Sequence, residues 1–261
     1  MDKQKVFITF VISLIMYIFV LYNINFEVIM SNQVDLQVIS EKLSNLWSLL
    51  TEDEKTAVAD SLTVRTFKKN EMVYNEGESP DHMLCLLSGK VKIFRDGVGG
   101  RSQIMRVMRP VQYFGYRASL AGEPYITAAA AFEESVICCI PMDVVKQIIS
   151  QNIDICQFFI RELATDLGIA DCRTVSLTQK HIRGRLAEAI LFLKQTYGVE
   201  EDGATLGILL SREDLANLSN MTTSNAIRTL STFATEGLIA INGRNIKILQ
   251  EETLKRISRI G

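Results

Sequence analysis

Residues Leu210 to Leu238 read LSREDLANLSNMTTSNAIRTLSTFATEGL, and this stretch decides the fold. It divides into two short helical segments around a tight turn. Ser211 precedes an apolar-periodic run and Asp214 follows three residues later, a short-armed capping box. The Ser211 hydroxyl can accept an orphan N–H of the first turn, so a helix starts there. Leu215 and Leu218 share the buried face of that helix. Ser219, Asn220 and Met221 make the turn, and Thr222 or Thr223 caps the second helix. Ile227, Leu230 and Phe233 recur every third residue and predict one apolar stripe. The opposite face then shows Thr223, Ser224, Asn225, Arg228 and Thr229, and Gly237 stands where the helix should stop. This is the layout that sets one helix in the DNA major groove. On these residues alone an ordinary helical hairpin is the other reading.

The segment behind the second helix narrows the choice. Leu238-Ile239-Ala240-Ile241 is strand-like, then Asn242-Gly243, then Arg244 to Leu249. Asn-Gly between two such runs is a strong hairpin signal. A hairpin directly behind the second helix makes a winged helix, with Arg244 and Lys247 on the wing near phosphates.

At 261 residues the chain suits two domains, and 48% apolar with 22% charged residues indicates a globular protein. The formal net charge of −2 excludes a polycation. Residues 180–261 carry 11 Lys and Arg against 9 Asp and Glu, while 31–179 carry 15 against 19. The asymmetry favours nucleic acid at the C-terminal end and would not predict it unaided. The five cysteines (Cys85, Cys138, Cys139, Cys156, Cys172) form no regular framework, which suggests a reducing compartment and buried small hydrophobes. Two histidines, His82 and His181, leave little for a metal or catalytic centre. No nucleophile–base pair is evident. The turn Asp96–Gly100 lacks the Lys and following helix of a phosphate loop, so no enzyme is expected.

Residues Val6 to Tyr22 are almost wholly apolar, about 25 Å as a helix. Lys3 and Lys5 precede them, and the positive-inside rule would send the rest of the chain out of the cytoplasm, away from DNA. Met30 begins an ordinary soluble sequence. Translation from Met30, with residues 1–29 a gene-start artefact, is therefore expected. A membrane-tethered regulator anchored by 6–22 is the alternative.

Residues 31–60 look helical, with Leu36, Ile39, Leu43, Leu46, Leu49 and Leu50 in phase. From 62 to 141 short strands alternate with turns: 62–67, 71–74, 82–87, 90–94, 102–108 and 126–140. Such spacing predicts a β-sandwich or jelly roll. After Pro141 the helical period returns. Asn152 caps a long helix to about Ser176, and Ile155, Phe159, Leu163, Leu167, Ala170, Thr174 and Leu177 form a narrow seam suited to a dimer.

The order of β-roll, long helix and winged helix resembles the cyclic-AMP receptor protein / fumarate-nitrate regulator (Crp/Fnr) family over about 40–255. The resemblance rests most on 210–238, on Gly89-Lys90-Val91-Lys92-Ile93-Phe94, on Phe114-Gly115 and on Arg183-Gly184-Arg185-Leu186-Ala187. It implies an α+β protein: an N-terminal cyclic-nucleotide-binding-like jelly roll, a long dimerisation helix, and a C-terminal winged helix-turn-helix. The expected limits are 1–29 for the apolar extension, 31–141 for the sensor, 142–178 for linker and dimer helix, and 179–261 for the DNA-binding domain. It further implies a cytoplasmic homodimer on double-stranded DNA, contacts with RNA polymerase, and no bound cofactor beyond an unidentified small-molecule effector. Expected DNA contacts are Ser211, Thr222, Thr223, Ser224, Asn225, Arg228, Thr229 and Arg244.

The departures are informative. Where cyclic-AMP binders carry Gly-Glu-Leu, this chain has Gly115-Tyr116-Arg117. Where they carry Arg-Ser, it has Tyr125-Ile126-Thr127, and the adenine-contacting Thr-Ser falls on Ala170-Asp171. A buried cyclic phosphate without a cation is costly, so cyclic AMP is not the expected ligand. Tyr116, Arg117, Tyr125, Thr127 and Asp171 remain as the candidate effector pocket. The cysteine cluster of the iron–sulfur branch is missing between 31 and 84. In the recognition helix the family's Arg, Glu and second Arg fall on Thr223, Ser224 and Arg228, so the same pose with a different operator is expected.

Overall fold

The structure, a computed structural model, describes residues 36–97 and 99–260. The apolar run 6–22, and the choice between an anchor and a start at Met30, lies outside the described residues. Among the described residues no helix is long and apolar enough to cross a membrane. The chain divides into two compact units between Lys42 and Leu43. In the first, the described element is α1 (Leu36–Lys42).

The second unit opens with α2 (Ser44–Trp47) and α3 (Glu52–Ser61). The helical period of 31–60 is thus broken. A complete capping box is the reason: Glu54 N–H donates to Thr51 Oγ1 and Thr51 N–H donates to the Glu54 carboxylate at 2.8 Å, which starts a new helix.

Eight strands follow: β1 (Thr63–Phe67), β2 (Met72–Tyr74), β3 (His82–Ser88), β4 (Val91–Asp96), β5 (Ser102–Met108), β6 (Tyr113–Phe114), β7 (Ala128–Ala131) and β8 (Ser135–Pro141). The expected run 126–140 is two strands. One sheet runs β1-β8-β3-β6, the other β2-β7-β4-β5, with antiparallel neighbours throughout. Val91 and Ile93 are buried while Lys92 is half-buried, the alternation expected of a one-sided strand. Gly89, at φ 88, is required: a Cβ there would collide with the backbone of Glu134 and Ser135. Between the sheets pack Phe67, Leu86, Ile93, Met108, Phe114 and Ile137.

Helix α4 (Tyr116–Ala121) interrupts the roll after β6; α5 (Met142–Gln151) and α6 (Ile153–Gln179) leave it. Asn152 caps α6 as expected, its Oδ1 accepting the N–H groups of Asp154 and Ile155. The expected seam on α6 needs correction at its start. Ile155 and Phe159 are buried against this chain's own roll, beside Met83 and Ile140. Steps of four residues advance 40° per step beyond a full turn, so a seam begun at Ile155 drifts off one face. The side left open carries Ile160, Leu167, Ala170 and Thr174, with Leu163 and Leu177 half-buried beside them.

The C-terminal part holds α7 (Ile182–Tyr197), α8 (Arg212–Leu218), α9 (Thr223–Thr235), β9 (Ile239–Asn242), β10 (Asn245–Ile248) and α10 (Glu251–Ile260). Its core of Leu186, Ile190, Leu215, Leu230, Phe233 and Leu254 is continuous with Ile104, Val107 and Phe132 of the roll. Polar ties reinforce the junction. Lys92 pairs with Asp214 at 2.7 Å, and Tyr197 Oη donates to Met108 O at 2.9 Å. Arg173 on α6 donates to the carbonyls of Ile104 and Met105 on β5 and of Leu218 on α8, so one guanidinium joins three elements.

Candidate nucleic-acid interface

Helix α8 begins where its cap requires. Ser211 Oγ accepts the Asp214 N–H at 2.9 Å and donates to the Asp214 carboxylate at 2.6 Å. The Ser211 hydroxyl is therefore committed to the helix start. The turn behind α8 closes through Asn220, whose φ of 50 is left-handed, a conformation asparagine tolerates. Thr222 then caps α9, Oγ1 accepting the Asn225 N–H at 3.3 Å. Gly237, at φ 69, ends the helix as expected.

The two faces of α9 are sharply unequal. Ala226, Thr229, Leu230 and Phe233 are buried. Thr222, Thr223, Ser224, Ile227 and Arg228 are exposed, and Asn225 is half-buried. Two expectations fail here. Thr229, 8% exposed, is buried on the core side of α9 and not on its outer face. Ile227, 48% exposed, lies on the outer side and not in the apolar stripe. Three-residue steps fall 60° short of a turn each, so 227, 230 and 233 cannot hold one face, whereas 226, 230 and 233 can. Among the described residues the Arg228 guanidinium has no ion-pair partner.

The wing forms one residue later than the Asn-Gly pair suggests. Asn245 pairs with Asn242, which leaves Gly243-Arg244 as the loop. Gly243, at φ 58 in the first loop position, suits a type II′ turn. Apolar pairing sets this register: Ile246 faces Ile241 and Ile248 faces Ile239. Arg244 is thereby exposed at the tip of the wing. Arg212, which carries no local sequence signal, donates from Nη2 to Gly243 O at 2.7 Å and ties the wing tip to α8. A third chain segment widens the wing, with Leu206 N–H donating to Ile246 O and Ile248 N–H donating to Ala204 O. Asp202 anchors that segment. Its carboxylate accepts the N–H groups of Thr205 and Ala204, which hold it below the usual carboxylate range, and pairs with Lys247 at 3.2 Å. Lys247 thus has a carboxylate neighbour, while Arg244 is not part of that pair.

The candidate effector residues are distributed differently. Tyr116 is buried edge-on to Phe159 of α6, with ring centroids 5.0 Å apart. Tyr125 is buried and stacked on Tyr74 at 3.9 Å, and Thr127 hydrogen-bonds the same Tyr74. Burial pushes the Tyr74, Tyr116 and Tyr125 hydroxyls above the ordinary phenol range. Arg117 pairs with Glu123 at 2.8 Å. Asp171 is exposed on α6.

A helix-turn-helix with a tethered wing behind an eight-stranded roll defines a winged-helix DNA-binding protein. Residues 64–152 match the cyclic nucleotide-binding domain family and 184–257 the Crp-like helix-turn-helix domain family. The chain is 28% identical over 205 residues to the CRP-like cAMP-activated global transcriptional regulator of Mycobacterium tuberculosis, covering 78% of this chain and 91% of that one. It is 24% identical over 196 residues to the global nitrogen regulator of Nostoc sp., covering 74% and 88%. Its fold superposes with a TM-score of 0.70 on a putative Crp/Fnr-family transcriptional regulator from Eubacterium rectale, at 19% identity and 82% and 97% coverage. The chain belongs to the Crp/Fnr family of transcriptional regulators, with a helix-turn-helix DNA-binding domain at its C-terminal end. Regulators of this kind bind DNA, typically as dimers.

Proposed function

We propose that this chain is a cytoplasmic, homodimeric, sequence-specific transcription regulator that sets α9 of each protomer into the major groove of one half-site. Two half-sites about 34 Å apart would then be read together. The observation that carries this is the outer face of α9, where Thr223, Ser224 and Arg228 stand exposed over a buried inner face. Arg228 is the group able to bond guanine O6 and N7 together. Thr222, Asn225 and Arg244 flank it and fit backbone positioning, with Ser211 holding the start of α8. Dimerisation would use the open side of α6 from Ile160 to Leu177. RNA polymerase contact rests on family resemblance.

The domain limits in this reading are 31–141 for the roll, 142–178 for linker and dimer helix, and 179–261 for the reader, with 1–29 apart. The roll is not a cyclic-AMP receptor. Tyr125 turns into the aromatic core where a phosphate would need a cation, and Arg117 is held by Glu123. An effector of another chemistry, acting by favouring one arrangement of reader and roll, is compatible with this. The activation stated in the name of the Mycobacterium relative is not carried to this chain.

The test is binding of the full chain to fragments selected from genomic DNA, titrated with salt. Affinity that falls steeply and linearly on logarithmic axes as salt rises supports the reading. Absence of salt-sensitive binding contradicts it.

A further inference from the structure

We infer that Ile227 is a base-reading residue, its exposed side chain meeting a thymine methyl in the major groove and so specifying an A·T pair in each half-site. The inference rests on the DNA-reading role proposed above and deepens it. Leu230 and Phe233, the other large apolar residues of α9, are at most 1% exposed, whereas Ile227 is 48% exposed. It contributes little to the core that holds α9. Its position is decisive: directly before Arg228, and one helical turn after Thr223, it shares the side of α9 that carries the exposed polar groups.

The chemistry of the groove supplies a partner. Three of the four bases present only hydrogen-bonding groups and ring edges there, while thymine alone adds a methyl. Arg228 suits guanine, and Thr223 and Ser224 have short side chains with hydroxyls of either sense. Neither the guanidinium nor the hydroxyls select for a methyl, and the γ-methyl of Thr223 offers a smaller apolar contact than the Ile227 side chain. A branched aliphatic side chain selects for a methyl through loss of water-exposed apolar area on both partners.

Deoxyuridine isolates this contact, because it pairs as thymine does and lacks only the methyl. The experiment takes the full chain, selects its operator from random duplexes, and replaces each operator thymine singly with deoxyuridine. One replacement per half-site should weaken binding about three- to tenfold. Ile227→Ala should weaken binding to the unmodified operator by a similar factor and make that deoxyuridine harmless. Ile227→Val, which keeps the branch, should retain sensitivity to the same deoxyuridine. An unchanged melting temperature for Ile227→Ala establishes that the variant is folded. The inference is overturned if no deoxyuridine weakens binding, or if the penalty persists in Ile227→Ala. Salt-sensitive binding with either of those outcomes sinks the Ile227 role alone. Absence of salt-sensitive binding sinks the DNA-reading role, and this one with it.

Discussion

The outer face of α9 and the segment from Gly115 to Thr127 carry most of the chain's candidate ligand-contacting residues, and the chain treats them in opposite ways. On α9, Thr223, Ser224, Ile227 and Arg228 point away from the core and are left to solvent. In the roll, Tyr116 packs on Phe159, Tyr125 stacks on Tyr74, and Arg117 is paired with Glu123. A surface that will take a ligand leaves groups unspent, because contacts made inside the protein must be broken before a ligand can use them. In the segment from Gly115 to Thr127, Tyr116 and Tyr125 serve the core, whereas the Arg117–Glu123 pair is a half-exposed surface contact. The difference supports the proposed recognition role of the C-terminal end and sets Tyr116 and Tyr125 among the packed residues of the roll.

The comparison breaks most readily at Tyr125. If that ring is core, Tyr125→Ala should cost about 3–5 kcal/mol, measured by denaturant unfolding, from lost burial and a lost aromatic pair. A cost below about 1 kcal/mol would mean that the ring fills a ligand space and can leave it. At Arg228 the expected loss moves from stability to binding. Arg228→Ala should weaken operator binding by about 1–3 kcal/mol while unfolding changes by under about 0.5 kcal/mol. Thr229 sharpens the boundary between the faces of α9. Thr229→Val should shift stability by about 1 kcal/mol and leave base preference unchanged; a changed preference would place Thr229 at the groove. Cyclic AMP should do least. A ligand at one hundred times its dissociation constant stabilises its receptor by about 2.7 kcal/mol, and we expect no rise in melting temperature from millimolar cyclic AMP. A rise of several degrees would return the roll to the cyclic-AMP receptors.

Local chemistry is legible in the sequence, and phase is not. Ser211, Thr222 and Asn152 each cap the helix that their local sequence predicts, because a cap depends on a residue and its next three neighbours. Strand β5 runs over Ser102–Met108 as expected, bounded by its own turns. Sequence and structure part where a period is extended too far. Three-residue steps put Ile227 inward, and four-residue steps put Ile155 and Phe159 on the dimer seam. Both depart from the helical repeat, in opposite senses. The wing shows another limit. Asn242-Gly243 is a strong turn signal, yet Ile241 and Ile239 facing Ile246 and Ile248 move the loop to Gly243-Arg244. Cross-strand partners decide that register. The pairing of 204–206 with β10, the tether from Arg212 to Gly243, and the Arg173 junction likewise depend on contacts distant in sequence.

The central claim is that the outer face of α9 reads bases. Its most direct test is operator selection from random DNA by the full chain and, in parallel, by Arg228→Ala. We expect both proteins to recover related two-fold motifs, with preference for guanine lost at one symmetric pair of positions in the variant and kept elsewhere. Identical motifs from the two proteins, at equal affinity, would contradict the assignment of Arg228 as a base-reading residue.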